Sequence, residues 1–194
     1  MLITHDEDYI RVIDDAFDLD LCSAACDRFE QDSARHWSNG DRCIELDLFG
    51  SAKKSRWTPT TQSRETAWRP FADQVVATLT SAVSLYRTRW DPLLMMPDSW
   101  ALEGLRVKCY RPGVHEFRMH VDQANRASSP RFLACLIYLN SNEAGTEFPQ
   151  FGLTVAAKAG RILLFPPTWQ YPHRGLMPTT DTKYIASTYL QYKD

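Results

Sequence analysis

Two periodicities divide the chain. In its first half, apolar residues recur at helical spacing. "DLDLCSAACDRFEQD" (18–32) places Leu19, Cys22, Cys26 and Phe29 on one face. "WRPFADQVVATLTSAVSLYRTRW" (68–90) carries one continuous stripe of Phe71, Val75, Val76, Leu79, Ala82, Val83 and Tyr86, which predicts an amphipathic helix packed along that stripe. Between these helices, residues 33–66 are polar and irregular, with Trp37 and Trp57 among them. From Leu105 onward the period becomes that of extended chain. "LRVKCY" alternates, "RFLACLIYLN" is apolar on both faces, and "TKYIASTYLQY" reads as a last long strand. "GLTVAA" and "RILLFPP", joined by the "KAG" turn, read as a hairpin.

Helices followed by closely spaced strands predict a mainly β, α+β fold. Its core is a double-stranded β-helix (a cupin-like jelly roll) in the C-terminal half, and the N-terminal helices buttress one sheet. At 194 residues the chain suits a single domain over 1–194, with residues 1–100 as a helical and irregular buttress and 101–194 as the core. There is no internal repeat and no low-complexity linker.

Composition narrows the function classes. Hydrophobic content is 44% and charged content 24%, ordinary for a globular protein. A net charge of -2 gives no field to recruit nucleic acid, whose phosphates need a basic groove, so no such partner is expected. The one basic run is "AKKSRW" (52–57), read as a solvated loop. No segment has the length or leader pattern for membrane insertion or export, so the expected location is the cytoplasm. The five cysteines, Cys22, Cys26, Cys43, Cys109 and Cys135, are odd in number and form no Cys-x-x-Cys pair, which argues against a disulfide framework or a zinc ribbon.

The candidate chemistry lies in the second half. "FRMHVDQ" (117–123) holds His120 and Asp122 with one valine between them; in extended chain both point the same way. His173 follows the apolar strand "RILLFPP". If strand ends bring it close, the three make a two-histidine, one-carboxylate face, the set of non-haem Fe(II) oxygenases. Lys183 is a lysine inside an apolar strand, either an edge cation in water or a buried cation awaiting an acidic ligand.

The stretches "LRVKCYRPGVHEFRMHVD", "LIYLN", "AGTEFPQFGLTVAAKAGRILLFPP" and "YPHRGLMPTTDTKYIASTYL" together resemble the Fe(II)- and 2-oxoglutarate-dependent dioxygenases, in the branch similar to prolyl 4-hydroxylases. The resemblance implies that His120, Asp122 and His173 bind Fe(II). It implies that Lys183 pairs with the distal carboxylate of 2-oxoglutarate, that Tyr110 donates a hydrogen bond to the same cosubstrate, and that O2 is the second cosubstrate, with ascorbate as a supporting reductant. A carboxylate at position 122 fits hydroxylation rather than halogenation. Members often carry two glycines where this chain has Ala144 and Gly145, and many carry Gly before the lysine where this chain has Thr182. The expected substrate is a small molecule, an amino-acid-like or peptidyl group, or a natural-product intermediate. Arg118, Arg174 and Gln123 are candidate contacts to it; Trp169 is a candidate pocket wall, with packing the plainer reading. The competing classes are a cupin-type metal-binding module or isomerase, which leaves Lys183 unexplained, and a zinc hydrolase, for which O2 would be irrelevant.

Overall fold

A computed structural model describes residues 1–32, 36–48, 59–91 and 95–193, the side chains of 59–66 excepted. In chain order the strands are β1 (Leu2–Glu7), β2 (Ile10–Asp14), β3 (Trp37–Ser38), β4 (Ile44–Asp47), β5 (Trp100–Leu102), β6 (Arg106–Tyr110), β7 (Phe117–His120), β8 (Arg131–Tyr138), β9 (Asn142–Phe148), β10 (Leu153–Ala157), β11 (Ile162–Phe165), β12 (His173–Gly175) and β13 (Lys183–Tyr192). Helix α1 (Leu19–Gln31) follows β2, and α2 (Pro59–Trp90) follows β4. The large sheet runs β1-β2-β11-β8-β13-β6-β4-β3, with β5 also on β13; the small sheet runs β10-β9-β12-β7. This is the expected jelly roll.

Two cores follow from the strands being apolar on both sides. One face of the large sheet takes the helices: Cys22 and Phe29 of α1 and Trp68, Phe71, Val75 and Leu79 of α2 pack on Val107, Leu133, Cys135 and Ile137. The other face meets the small sheet through Ile10, Leu136, Phe148, Val155, Leu163 and Phe165. The helices thus buttress one sheet and leave the inter-sheet space for chemistry.

Several local expectations change. Helix α1 is capped by Asp18, whose carboxylate accepts from the Leu21 amide at 2.9 Å. Its buried face is centred on Cys22, Ala25 and Phe29, which turns Leu19 to the flank at 60% exposure. Helix α2 begins at Pro59, earlier than the apolar stripe suggests, where proline suits the first helical position. Val76 lies off the buried stripe at 47% exposure.

The N-terminal half supplies strands as well as helices. In β2 every residue is buried, because its polar members are paired: Arg11 with Asp6 at 2.8 Å, and Asp14 with Arg161 and Lys158 at 2.6 and 2.9 Å. Asp6 also accepts from the Trp90 indole at 2.9 Å, and the Tyr86 hydroxyl donates to the Tyr9 carbonyl at 2.9 Å, so the first hairpin is tied to the end of α2. Part of the segment read as irregular forms β3 and β4. The basic run 52–57 and Trp57 lie outside the described residues.

The expected hairpin of "GLTVAA" and "RILLFPP" is not formed. β10 pairs with β9 in the small sheet, while β11 pairs with β2 and β8 in the large one. Gly160, at φ +76°, turns the chain across the barrel, and its carbonyl accepts from the Ala16 and Phe17 amides at 3.1 and 3.0 Å. The five cysteines are free thiols, and among the described residues no helix is long and apolar enough to cross a membrane.

Candidate metal centre

β7 and β12 are antiparallel neighbours in the small sheet, and their register sets His173 directly opposite His120. The two imidazole rings stand 4.3 Å apart. Asp122 lies just past the end of β7, with Oδ1 3.4 Å from His120 Nε2 and Oδ2 3.4 Å from His173 Nε2. One donor atom from each residue falls within 4.8 Å of the others, and this is the one such group of three among the described residues.

The opposite ring nitrogens fix the tautomers. His120 Nδ1 lies 2.8 Å from the Arg118 carbonyl, and His173 Nδ1 lies 3.0 Å from the Tyr171 carbonyl. A carbonyl only accepts, so each Nδ1 carries the hydrogen and each Nε2 presents a lone pair to the centre. Burial pushes His173 down to about 4, which keeps it neutral at physiological pH, the form able to ligate a metal. Burial alone would raise the Asp122 carboxyl, but the two imidazoles beside it hold it below the usual carboxylate range. Phe165 and Phe148 flank His173 at 4.7 and 5.6 Å, and Phe117 flanks His120 at 4.3 Å. Two imidazoles, each turning Nε2 to the centre, and one carboxylate, converging from one side, suit a ferrous ion with positions left for other ligands.

Lys183 starts β13, paired in register with Tyr110 of β6. It is 2% exposed and faces the inter-sheet cavity that the metal-site residues also line. Its ammonium donates to the Leu176 carbonyl at 2.6 Å and the Gly145 carbonyl at 3.4 Å, and stands 4.5 Å from the Tyr110 ring. Burial lowers its pKa to about 8. Tyr110, 2% exposed, lines the same cavity, with its phenol pushed up by burial. Tyr138 sits alongside and donates to the Thr146 hydroxyl at 2.8 Å. Of the pair Ala144 and Gly145, only the second needs glycine, because a Cβ there would overlap the Val155 carbonyl.

None of the four candidate substrate contacts lines the cavities at this centre. Arg118 points outward and pairs with Asp41 at 2.5 Å. Arg174 alternates with His173 along β12 and pairs with Glu147. Gln123 donates to the Ser129 and Arg131 carbonyls, both at 2.8 Å, and so closes its own loop. Trp169 neither shapes the pocket nor packs; it is 76% exposed.

Other residues take their place. The Tyr189 hydroxyl donates to Asp122 Oδ1 at 2.8 Å. Arg131 donates to the Asp122 carbonyl at 2.7 Å, lies 4.0 Å over the Tyr189 ring, and is held by both oxygens of Glu103 at 2.5 and 2.6 Å. Tyr189 shares the strand face of Lys183, a parity visible in the sequence. Glu103 and Arg131 carry no such signal.

Residues 105–191 match the family model of the 2OG-Fe(II) oxygenase superfamily. The C-terminal half of the chain is a 2OG-Fe(II) oxygenase domain, and the protein is a 2-oxoglutarate-dependent oxygenase whose cofactor is Fe(II) and whose cosubstrates are 2-oxoglutarate and O2. Its fold is that of the prolyl 4-hydroxylase branch. The collagen prolyl hydroxylase of Paramecium bursaria Chlorella virus-1, solved with 2-oxoglutarate, aligns with a TM-score of 0.67 at 17% identity over 98% of this chain and 99% of that one. A prolyl-4-hydroxylase of Pseudomonas putida gives 0.63 at 15% identity, covering 95% and 93%. A prolyl hydroxylase of Trichoplax adhaerens, solved with a hypoxia inducible factor oxygen degradation domain peptide, gives 0.64 at 14% identity, covering 95% and 84%. At these identities the likeness is one of fold. No curated protein matches the sequence.

Proposed function

We propose that this protein hydroxylates an unactivated C–H bond of an amino-acid-like, peptidyl or natural-product substrate, with release of succinate and CO2. The observation that carries the reading is a single cavity lined both by three converging donors, His120, Asp122 and His173, and by the enclosed ammonium of Lys183. A metal-binding module or a zinc hydrolase gives no reason to enclose that ammonium.

In this reading the two Nε2 atoms and the Asp122 carboxylate hold Fe(II). The Nδ1 bonds to carbonyls and the Tyr189 hydroxyl keep the donors aimed without rearrangement. Lys183 binds the distal carboxylate of 2-oxoglutarate through a charge-assisted contact strengthened by the dry surroundings, and Tyr110 donates to the same molecule. The chemistry supplied by the bound cofactors is oxidative decarboxylation of 2-oxoglutarate coupled to insertion of one oxygen atom into a C–H bond. Phe117, Phe148 and Phe165 exclude water around the imidazoles. We read residues 1–194 as one domain, since β2 and β4 lie within the large sheet. The five free thiols fit a reducing compartment such as the cytoplasm.

The test has two stages. Adding 2-oxoglutarate to the anaerobic Fe(II) protein is expected to produce a weak charge-transfer absorption in the green. With O2, a screen of amino acids, peptides and metabolite pools is expected to show succinate release and a product heavier by one oxygen. A protein that stays colourless, or that turns over with zinc and without O2, overturns the reading.

A further inference from the structure

Lys183 is not the only lysine facing the barrel interior. Lys108 lies two residues before Tyr110 on β6, on the same strand face, and is 8% exposed. Its side chain lines both the inner cavity and a second, outer cavity of about 480 Å³ that opens beside His120 and Asp122. That volume is typical of a small-molecule site.

Lys183 donates to two carbonyls, whereas Lys108 has no acceptor among the described residues. Its ammonium stands 5.0 Å from the Phe117 ring and acts on the Asp122 carboxylate only through space, with no hydrogen bond or ion pair to it. Arg42, exposed on the rim of the outer cavity, stands 5.4 Å from the same ring, also without a carboxylate partner among the described residues. The other charges of that cavity are engaged. Arg106 and Arg131 share Glu103. Asp122 faces the imidazoles and Tyr189. Glu45 is the cross-strand neighbour of Lys108, yet it forms no ion pair with it; its Oε1 accepts from the Asn39 amide at 2.9 Å and the Cys43 thiol at 3.4 Å. A buried ammonium without an acceptor is costly unless a ligand supplies one.

We propose that Lys108 is the anchor for a carboxylate of the prime substrate, with Arg42 guiding the anion in across the face of Phe117. This rests on the iron reading above and names its substrate class: a free amino acid, an organic acid, or a peptide whose acidic group lies close to the oxidised carbon. A single negative charge fits better than a phosphate dianion, because Glu45 and Asp47 also line the cavity.

The test uses the anaerobic Fe(II)·2-oxoglutarate protein. Its charge-transfer band checks the iron reading by itself. N-acetyl amino acids and free amino acids are then titrated, each beside its primary carboxamide, and followed by perturbation of that band and by ligand-observed NMR. Acids are expected to bind at least tenfold more tightly than their amides. Lys108→Gln is expected to erase that preference and Lys108→Arg to restore part of it, with folding checked by thermal unfolding. Arg42→Gln, at an exposed position, is expected to weaken acid binding severalfold and serves if the Lys108 variants do not fold. Equal binding of acids and amides, no binding of any acid, or a preference that survives Lys108→Gln overturns the proposal. So does a tenfold rise in the 2-oxoglutarate requirement of Lys108→Gln, which would assign the lysine to the cosubstrate. A missing band with an intact acid preference on NMR would sink the iron reading and leave the anion site standing.

Discussion

The two sheets divide the labour of the site. The small sheet supplies the metal-site histidines from one cross-strand pair, His120 and His173, and Asp122 follows two residues later; their outer nitrogens are tied to carbonyls two residues away in the chain. The large sheet supplies Lys183 and Lys108, the ammonium groups proposed to recognise acids, and Tyr189, whose hydroxyl holds Asp122. Lys183, Lys108 and Tyr189 come from β13 and β6, and their settings depend on β4, β5 and β8. Metal geometry therefore rests on one strand pairing, β7 with β12, whereas the groups proposed for recognition rest on several pairings of the large sheet. Damage to the first should be sharp and confined, and damage to the second graded.

The largest effect is expected from the small sheet. His173→Ala removes one of three donors, and iron content measured on the purified protein should fall to background, with succinate release down by two orders of magnitude or more. Near-normal iron retention would mean the local triad is not the centre. Next comes the lysine that lines the same cavity. Lys183→Ala removes charge-assisted hydrogen bonds of about 1.5–3 kcal/mol each, so the half-saturating 2-oxoglutarate concentration should rise roughly ten- to hundredfold while iron still binds.

The same lysine sets a pH dependence. Its folded-state pKa of about 8 lies below its ordinary 10.5, so the ammonium is lost from the folded protein above pH 8. Cosubstrate affinity should then fall, approaching about tenfold per pH unit for a one-proton requirement. The sign for stability is opposite. Burying the ammonium costs stability below pH 8, and that cost is relieved as pH rises from 8 toward 10.5. A 2-oxoglutarate titration flat from pH 7 to 9.5 would remove Lys183 from its role.

Tyr189→Phe tests the link between the sheets. Loss of its bond to Asp122 should lower metal affinity or turnover by about 10–100-fold, with the 2-oxoglutarate requirement little changed. The smallest effect on the site is expected from Glu103→Gln, which weakens the hold on Arg131 and Arg106. Urea unfolding should show a loss of about 1–3 kcal/mol, with iron still bound.

The same division explains what could be read from the residues alone. His-x-Asp, the later histidine and the lysine ten positions beyond it are near in sequence or lie on recognisable strands, and their resemblance to a known family names them. Tyr189 was visible only as a parity. Its partner is fixed by where β7 ends, which periodicity does not give. Lys108 looked like an ordinary polar member of an alternating strand; its parity with Tyr110 gives the side it faces, but not that it lacks a carboxylate partner there among the described residues. Arg118 and Arg174 looked suitable for the opposite reason: each neighbours a metal-site residue, but Asp41 and Glu147 draw them away. The first two strands escaped notice because Arg11 and Asp14 break an apolar pattern that their partners restore, Asp6 across the hairpin and Arg161 far along the chain. β10 and β11 imitated a hairpin because adjacency in sequence carries no record of which sheet each strand joins.

That first hairpin has a further consequence for how the protein is made. Val12 pairs with Leu163, so β2 finds its neighbour only after about 150 further residues have been made. Until then the side of β2 that β11 will cover is an open template for other chains. The nascent chain is therefore exposed to aggregation for as long as the residues between the two strands take to be made, and slowing their translation should worsen it.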